Sequence, residues 1–223
     1  MKVLPSILTG DFTKINEDLK RLNNEGMAEL HLDIMDGNFV PAMTFGEKYV
    51  ADIHNNNPTL DLDVHLMIVN PENHIDEYIK AGADKITVHF ETLSVNKIKK
   101  LNDYVKSQNC KFGVAINPNT DARKVIKILE KIDLDLVLVM SVYPGKGGQT
   151  FMEESLEKLK VLKDYKEKKD KKFEIEIDGG INTENVVKVR DCGAERIVIG
   201  SSIYKDNKLE ENYKNFVALL ERK

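Results

Sequence analysis

Residues His31 to Gly46 read HLDIMDGNFVPAMTFG. Side chains of an extended segment alternate between faces, so His31, Asp33 and Met35 point one way while Leu32 and Ile34 point the other. One face carries chemistry and the other is apolar. Residues Asp61 to Met67, DLDVHLM, repeat the device, with His65 and Met67 on one face and Leu66 and the following Ile68 on the other. Two strands that each present a histidine and a methionine inward suggest a metal site lined by thioethers. A lone buried histidine is more often a hydrogen-bonded core residue. The company of Asp33 turns the balance toward a ligand.

The flanking segments repeat one unit, a strand followed by a helix. Strands are expected at Val3 to Leu8, Leu30 to Met35, Leu60 to Ile68 and Lys85 to His89, then at Lys111 to Ile116, Leu134 to Ser141, Phe173 to Asp178 and Arg196 to Ile199. The first helix is signalled at Thr13 and carries Ile15, Leu19 and Leu22 at helical spacing. Further helices are expected at Gly46 to Asn55, Asn73 to Ala81, Val95 to Gln108 and Asp121 to Lys131, then at Glu153 to Lys168, Thr183 to Asp191 and Leu209 to Leu220. No linker or composition break separates the units. Regular alternation implies a parallel sheet, and about eight units in ~250 residues is the size at which such a sheet closes. The expectation is a single (β/α)8 TIM barrel domain over residues 1–223. A doubly wound open sheet is the alternative, but no G-x-G-x-x-G follows the first strand.

Composition narrows the function classes. The chain has 223 residues, 41% hydrophobic and 31% charged, as in an ordinary globular protein. The longest apolar-rich run, Leu134 to Tyr143, is too short to span a bilayer. The opening MKVLPSIL runs straight into Asp11, Lys14 and Glu17, which is not a signal-peptide layout, so a cytoplasmic protein is expected. Cys110 and Cys192 are far apart and suit a packing role in a reducing compartment. A formal charge of −4 argues against a nucleic-acid surface. The lysine-rich stretch Lys158 to Lys172 reads as the solvated face of a helix and a turn. A homo-oligomer is left open.

Strands that depart from continuous apolar character do so near their C-terminal ends, at His31, Asp33, His65, His89 and Asp178. That end carries the active site in a β/α barrel. His31, Asp33, His65 and Asp178 form a mixed nitrogen and oxygen set that suits one divalent ion, Zn, Fe(II), Mn or Co, better than Ca or Mg. The bland alternative for Asp178 is a cap on the turn before Gly179-Gly180. Strand seven runs into Gly179-Gly180 and strand eight into Gly200-Ser201-Ser202, where β/α barrels form phosphate sites from backbone N–H groups. A phosphorylated substrate fits, although such glycines also make tight turns. The loop Tyr143-Pro144-Gly145-Lys146-Gly147-Gly148-Gln149 is expected to be a mobile flap over a ligand. It lacks the terminal G-K-[ST] of a nucleotide-binding loop.

Together HLDIMDGNFVP, DVHLM, PGKGGQ followed by Phe151, and EIDGGI resemble the ribulose-phosphate 3-epimerase family, over nearly the whole chain. The resemblance implies a metal-dependent enzyme of the pentose phosphate pathway that interconverts D-ribulose 5-phosphate and D-xylulose 5-phosphate. It implies His31, Asp33, His65 and Asp178 as metal ligands, with Asp33 and Asp178 also the acid/base pair. It places Ser6, His65 and the flap residues Gly145, Lys146, Gly147 and Gly148 on the substrate. Gly179, Gly180, Gly200 and Ser201 would hold the phosphate, and Met35, Met67 and Met140 would line the site. The family usually has Asn at the positions of Ala42 and Tyr143 and Phe at that of Lys146. These departures leave a six-carbon substrate, as for an allulose-6-phosphate 3-epimerase, as the nearest rival. Related decarboxylases and aldolases share an Asp-x-Lys pair where this chain has Asp63-Val64-His65. A phosphosugar-binding barrel without turnover is the non-enzyme alternative.

Overall fold

The computed structural model describes residues 1–221. β1 (Lys2–Pro5) is followed by α1 (Ile15–Asn24), β2 (Glu29–Met35), α2 (Glu47–Asn56), β3 (Asp61–Met67) and α3 (Ile75–Lys80). Next come β4 (Lys85–His89), α4 (Val95–Ser107), β5 (Lys111–Ile116) and α5 (Ala122–Leu129). β6 (Leu136–Met140), α6 (Ser155–Lys169), β7 (Glu174–Asp178), α7 (Val186–Asp191), β8 (Arg196–Ile199), α8 (Ser201–Tyr204) and α9 (Leu209–Glu221) complete the order. All ladders are parallel, and the eight strands run β1-β8-β7-β6-β5-β4-β3-β2 in space. A single parallel bridge, Ser6 to His31, joins β1 to β2 across the remaining gap. The fold is a (β/α)8 TIM barrel, as the alternation of strand and helix requires. No helix among the described residues is long and apolar enough to cross a membrane.

The period-two pattern assigns each strand residue to the helix layer or to the barrel interior. Leu32, Ile34, Val64, Leu66, Val114, Val137 and Ile177 face outward and are buried with Leu19, Val50, Ile98 and Leu159 of the helices in one apolar core. The interior is mostly not apolar. Arg196, Glu176, Asp63, Lys85, Glu29, His31 and His65 are all buried inside the strand ring, where the apolar side chains form two small clusters, Ala115 with Leu138 and Met140, and Met35 with Met67 and the loop residue Val40.

Local chemistry sets the element ends. The expected strand Val3 to Leu8 stops at Pro5, because the Ser6 hydroxyl accepts the Leu8 N–H at 3.3 Å and turns Ile7–Thr9 into a 3₁₀ turn. α4 and α5 begin at Ser94 and Asp121, whose side chains accept the N–H groups of Lys97 and Arg123. The helix expected from Thr183 begins at Val186, because Asn182 and Asn185 exchange side-chain and backbone hydrogen bonds that hold 182–185 as a turn. The lysine stretch is less solvated than expected. Lys158 is half-buried and donates to the carbonyls of Asn117 and Pro118 at 2.8 and 2.6 Å, and Lys166 pairs with Glu195.

Candidate active site

The C-terminal ends of β2, β3 and β7 bring His31, Asp33, His65 and Asp178 together, with one donor atom from each within 4.8 Å of all the others. Three inward positions in register on two strands account for most of the set: Asp33 pairs with His65, and His31 precedes Asp33 by two residues. Asp178 ends β7 opposite Met140. Its backbone carbonyl accepts the Ser141 N–H and hydroxyl, which leaves the carboxylate free to face the cleft.

The donor atoms converge on Asp33. His31 Nδ1 faces Asp63 Oδ2 at 3.2 Å, so the proton on that side of the ring is directed to a carboxylate. Its Nε2 is buried, makes no hydrogen bond and stands 3.4 Å from Asp33 Oδ1. The same oxygen is 3.2 Å from His65 Nδ1. The other oxygen, Asp33 Oδ2, accepts the Ser6 hydroxyl at 2.7 Å. An orphaned imidazole nitrogen among carboxylate oxygens fits a cation, and two imidazoles with two carboxylates suit a divalent transition ion. A second group, His31, Asp63 and Glu176, also brings donor atoms together. There Arg196 already supplies the positive charge, with Nη2 at 3.0 Å from Asp63 and Nε bonded to Glu176.

The electrostatics separate the two carboxylates. Burial alone would raise the Asp33 carboxyl, but the neighbouring His31 and His65 hold it far below the usual carboxylate range. Burial and the charge of Asp33 push Asp178 up to about 7. Burial lowers the His31 imidazole, but Asp33 and Asp63 outweigh it and raise the group well above its ordinary value. His65 is drawn down to about 4 by burial.

Above this centre lies a cleft. Asp33 and Asp178 form its floor with Ser6, Met35, Met67 and Met140. Its far wall comprises Gly179, Gly180, Gly200 and Ser201, and its roof is Gly145 to Gln149, with exposed Lys146 included. Every residue expected on the substrate borders this cleft except His65, which is wholly buried beneath it. Gly180 has φ +65°, and a Cβ there would meet Phe151 N at 2.6 Å and Gln149 O at 2.8 Å, so only glycine lets the two loops meet. The roof is tied down by Gln149 Nε2, which donates to the carbonyls of Tyr143 and Lys146. Ala42 and Tyr143 do not border the cleft.

Sequence reasoning gives no role to three groups beside the site, although it notes His89 as a strand-end residue. Asp63 stands behind His31. His89 stands behind His65, with Nε2 to Nε2 at 2.9 Å, and Glu91 follows it. The signal for Asp63 and His89 was a charged or imidazole side chain at an inward strand position, whereas Glu91 lies in the 3₁₀ turn Phe90–Thr92 beyond β4.

Comparison with known proteins identifies the family. Residues 2–204 match the model of the ribulose-phosphate 3 epimerase family. A ribulose-phosphate 3-epimerase of Bacillus subtilis (strain 168) is 40% identical over 207 residues, 92% of each chain. That of Aquifex aeolicus (strain VF5) is 38% identical over 221 residues, covering 99% of this chain and 97% of the relative. Among solved structures, 3-hexulose-6-phosphate synthase from Salmonella typhimurium superimposes with a TM-score of 0.75 at 17% identity, covering 99% of this chain and 98% of that one, a likeness of fold alone. With its family motifs carried on the strand ends that form the cleft, the chain belongs to the ribulose-phosphate 3-epimerase family.

Proposed function

We propose that the chain interconverts D-ribulose 5-phosphate and D-xylulose 5-phosphate by moving a proton at C3, using Asp33 and Asp178 on opposite faces of the substrate. The observation that carries this reading is geometric: Asp33 of β2 and Asp178 of β7 both line the floor of one cleft, within a cluster of four donor groups. Inversion at a carbon beside a ketone needs a group that takes a proton from one face and a group that returns one to the other. In one direction anionic Asp33 takes the C3 proton and protonated Asp178 delivers one; in the other direction the roles exchange.

His31, Asp33, His65 and Asp178 would hold a divalent ion of the Zn, Fe(II), Mn or Co class. When bound, it supplies Lewis-acid stabilisation of the negative charge that develops on the substrate oxygens. Ser6 steadies Asp33 by donating to Oδ2. Met35, Met67 and Met140 form apolar walls that keep water from the carbanionic centre. Backbone N–H groups at Gly179, Gly180, Gly200 and Ser201 receive the phosphate, and the Gly145 to Gly148 loop covers the sugar with Lys146 above it. The whole chain, 1–223, acts as one barrel domain. It works in the cytoplasm, a reading supported by Cys110 and Cys192 being free and buried.

The rival reading is the same chemistry on a six-carbon ketose phosphate. It rests on Ala42, Tyr143 and Lys146, of which only Lys146 borders the cleft. Turnover of five- and six-carbon ketose phosphates, measured after exchange of the bound metal, tests both. Faster turnover of the six-carbon compound would overturn the pentose assignment, and none on either would overturn the epimerase.

A further inference from the structure

His65 Nε2 lies 2.9 Å from His89 Nε2, and His89 Nδ1 lies 3.3 Å from Glu91 Oε2. The two imidazoles stack with centroids 5.0 Å apart, and the Phe39 ring covers His89 at 4.6 Å. His89 is wholly buried. Two ring nitrogens that face each other must divide into one donor and one acceptor. The far end of the chain decides which. A glutamate carboxylate accepts and does not donate, so His89 Nδ1 carries the proton it gives to Glu91. His89 then offers a lone pair at Nε2, and His65 donates its Nε2–H to it. His65 Nδ1 is left as a lone pair, facing Asp33 Oδ1 at 3.2 Å.

Glu91 is itself fixed in this polarity. Its other oxygen, Oε1, accepts the backbone N–H of Asn117 at 3.0 Å and the hydroxyl of Thr120. The carbonyls of Asn117 and Pro118 are held in turn by Lys158 Nζ. His31 shows the same logic in shorter form, with Asp63 directly behind its Nδ1.

We propose that His89 and Glu91 are positioning residues that set the tautomer of His65, so that its Nδ1 lone pair is presented to a divalent cation beside Asp33. The inference rests on the metal-centre reading above and adds the residues that orient one ligand from behind. Loss of such an outer partner lowers metal affinity by about 10- to 100-fold.

Glu91→Gln is the informative substitution. The Asn117 N–H needs an acceptor, so the amide oxygen stays on that side and the NH₂ turns to His89, reversing the donors along the chain. Zinc affinity is measured by competition with a chromophoric chelator on wild type and variant. The histidine ¹⁵N spectrum of zinc-loaded wild type reports which ring nitrogens carry protons. Zinc binding weakened by about 10- to 100-fold with an unchanged circular dichroism spectrum, and protons on His89 Nδ1 and His65 Nε2 in the wild type, is the expected result. Equal zinc affinity in the variant overturns the inference and leaves the metal centre standing. A wild type that binds no zinc, manganese, cobalt or iron(II) overturns the metal centre beneath it. If Glu91→Gln fails to fold, the wild-type spectrum decides, and a proton on His89 Nε2 overturns the proposal.

Discussion

Arg196 Nη2 lies 3.0 Å from Asp63 Oδ2, the same oxygen that faces His31 Nδ1 at 3.2 Å. A guanidinium on the last strand therefore fixes the carboxylate that faces a residue of the candidate active site. Arg196 also bonds Glu29 and Glu176, and all four side chains are buried.

Removing Arg196 should be costly because it leaves buried acids without their counter-charge. Arg196→Met is expected to lower the unfolding free energy by about 3–5 kcal/mol, read from urea denaturation. A change within the scatter of surface substitutions would mean that the acids relax to water instead.

The same network predicts acid sensitivity. Burial would raise the Glu29 carboxyl, but the hydrogen bond from Lys2 and the charges of Arg196 and Lys85 outweigh it and bring the group to about 2, against an ordinary value of 4.5. A carboxyl depressed on folding stabilises the native state above the unfolded value, and that contribution drains as pH falls from about 4.5 toward 2. Urea midpoints measured across this window should fall more steeply for wild type than for Glu29→Gln. Parallel curves would remove Glu29 from the account.

Asp33→Asn and Asp178→Asn should each suppress exchange of the substrate C3 proton with solvent deuterium by at least about 10²-fold, with the circular dichroism spectrum retained. Unchanged exchange in either variant would take that residue out of the acid/base pair.

Gly180→Ala should strain the contact between the β7 loop and the backbone of Gln149 and Phe151. The expected cost is about 1–3 kcal/mol of stability, with a raised KM for the phosphorylated substrate. A variant with normal KM would show that phosphate binding does not depend on that approach.

Chelation should also be visible without substrate. An ion at about 100 times its Kd adds about 2.7 kcal/mol to the folded state, so stripping and restoring zinc should lower and then restore the thermal midpoint. A midpoint indifferent to the ion would argue that the four donors do not hold it in the native fold.

The fold was legible because the outward faces of the strands carry an unbroken apolar set, as at Leu32, Ile34, Val64 and Leu66, and the helices alternate with them at even spacing. The clustering of the candidate metal ligands was legible because His31, Asp33, His65 and Asp178 interrupt the inward faces at strand ends. The ion-pair layer below them was not. Asp63 and Arg196 are 133 residues apart in the chain and meet only when the barrel closes, so no local spacing announces them. His89 appears at a strand end like the others. Its importance depends on stacking against His65 and on Glu91, which a pattern of alternation does not reveal. The early end of β1 was hidden for a smaller reason, since the Ser6 hydroxyl that stops the strand looks from sequence like one more polar residue in an apolar run.

The seam between β1 and β2 gives the barrel a built-in fuse. Elsewhere neighbouring strands share a ladder, but here the sheet is joined by the single bridge from Ser6 to His31, reinforced by the Ser6 hydroxyl on Asp33. The weakest join in the cylinder is thus welded to Asp33, one of the two carboxylates proposed to move the proton. Heat that parts this join would disarm the enzyme while the other strands still hold, so inactivation should precede global melting and reverse on cooling.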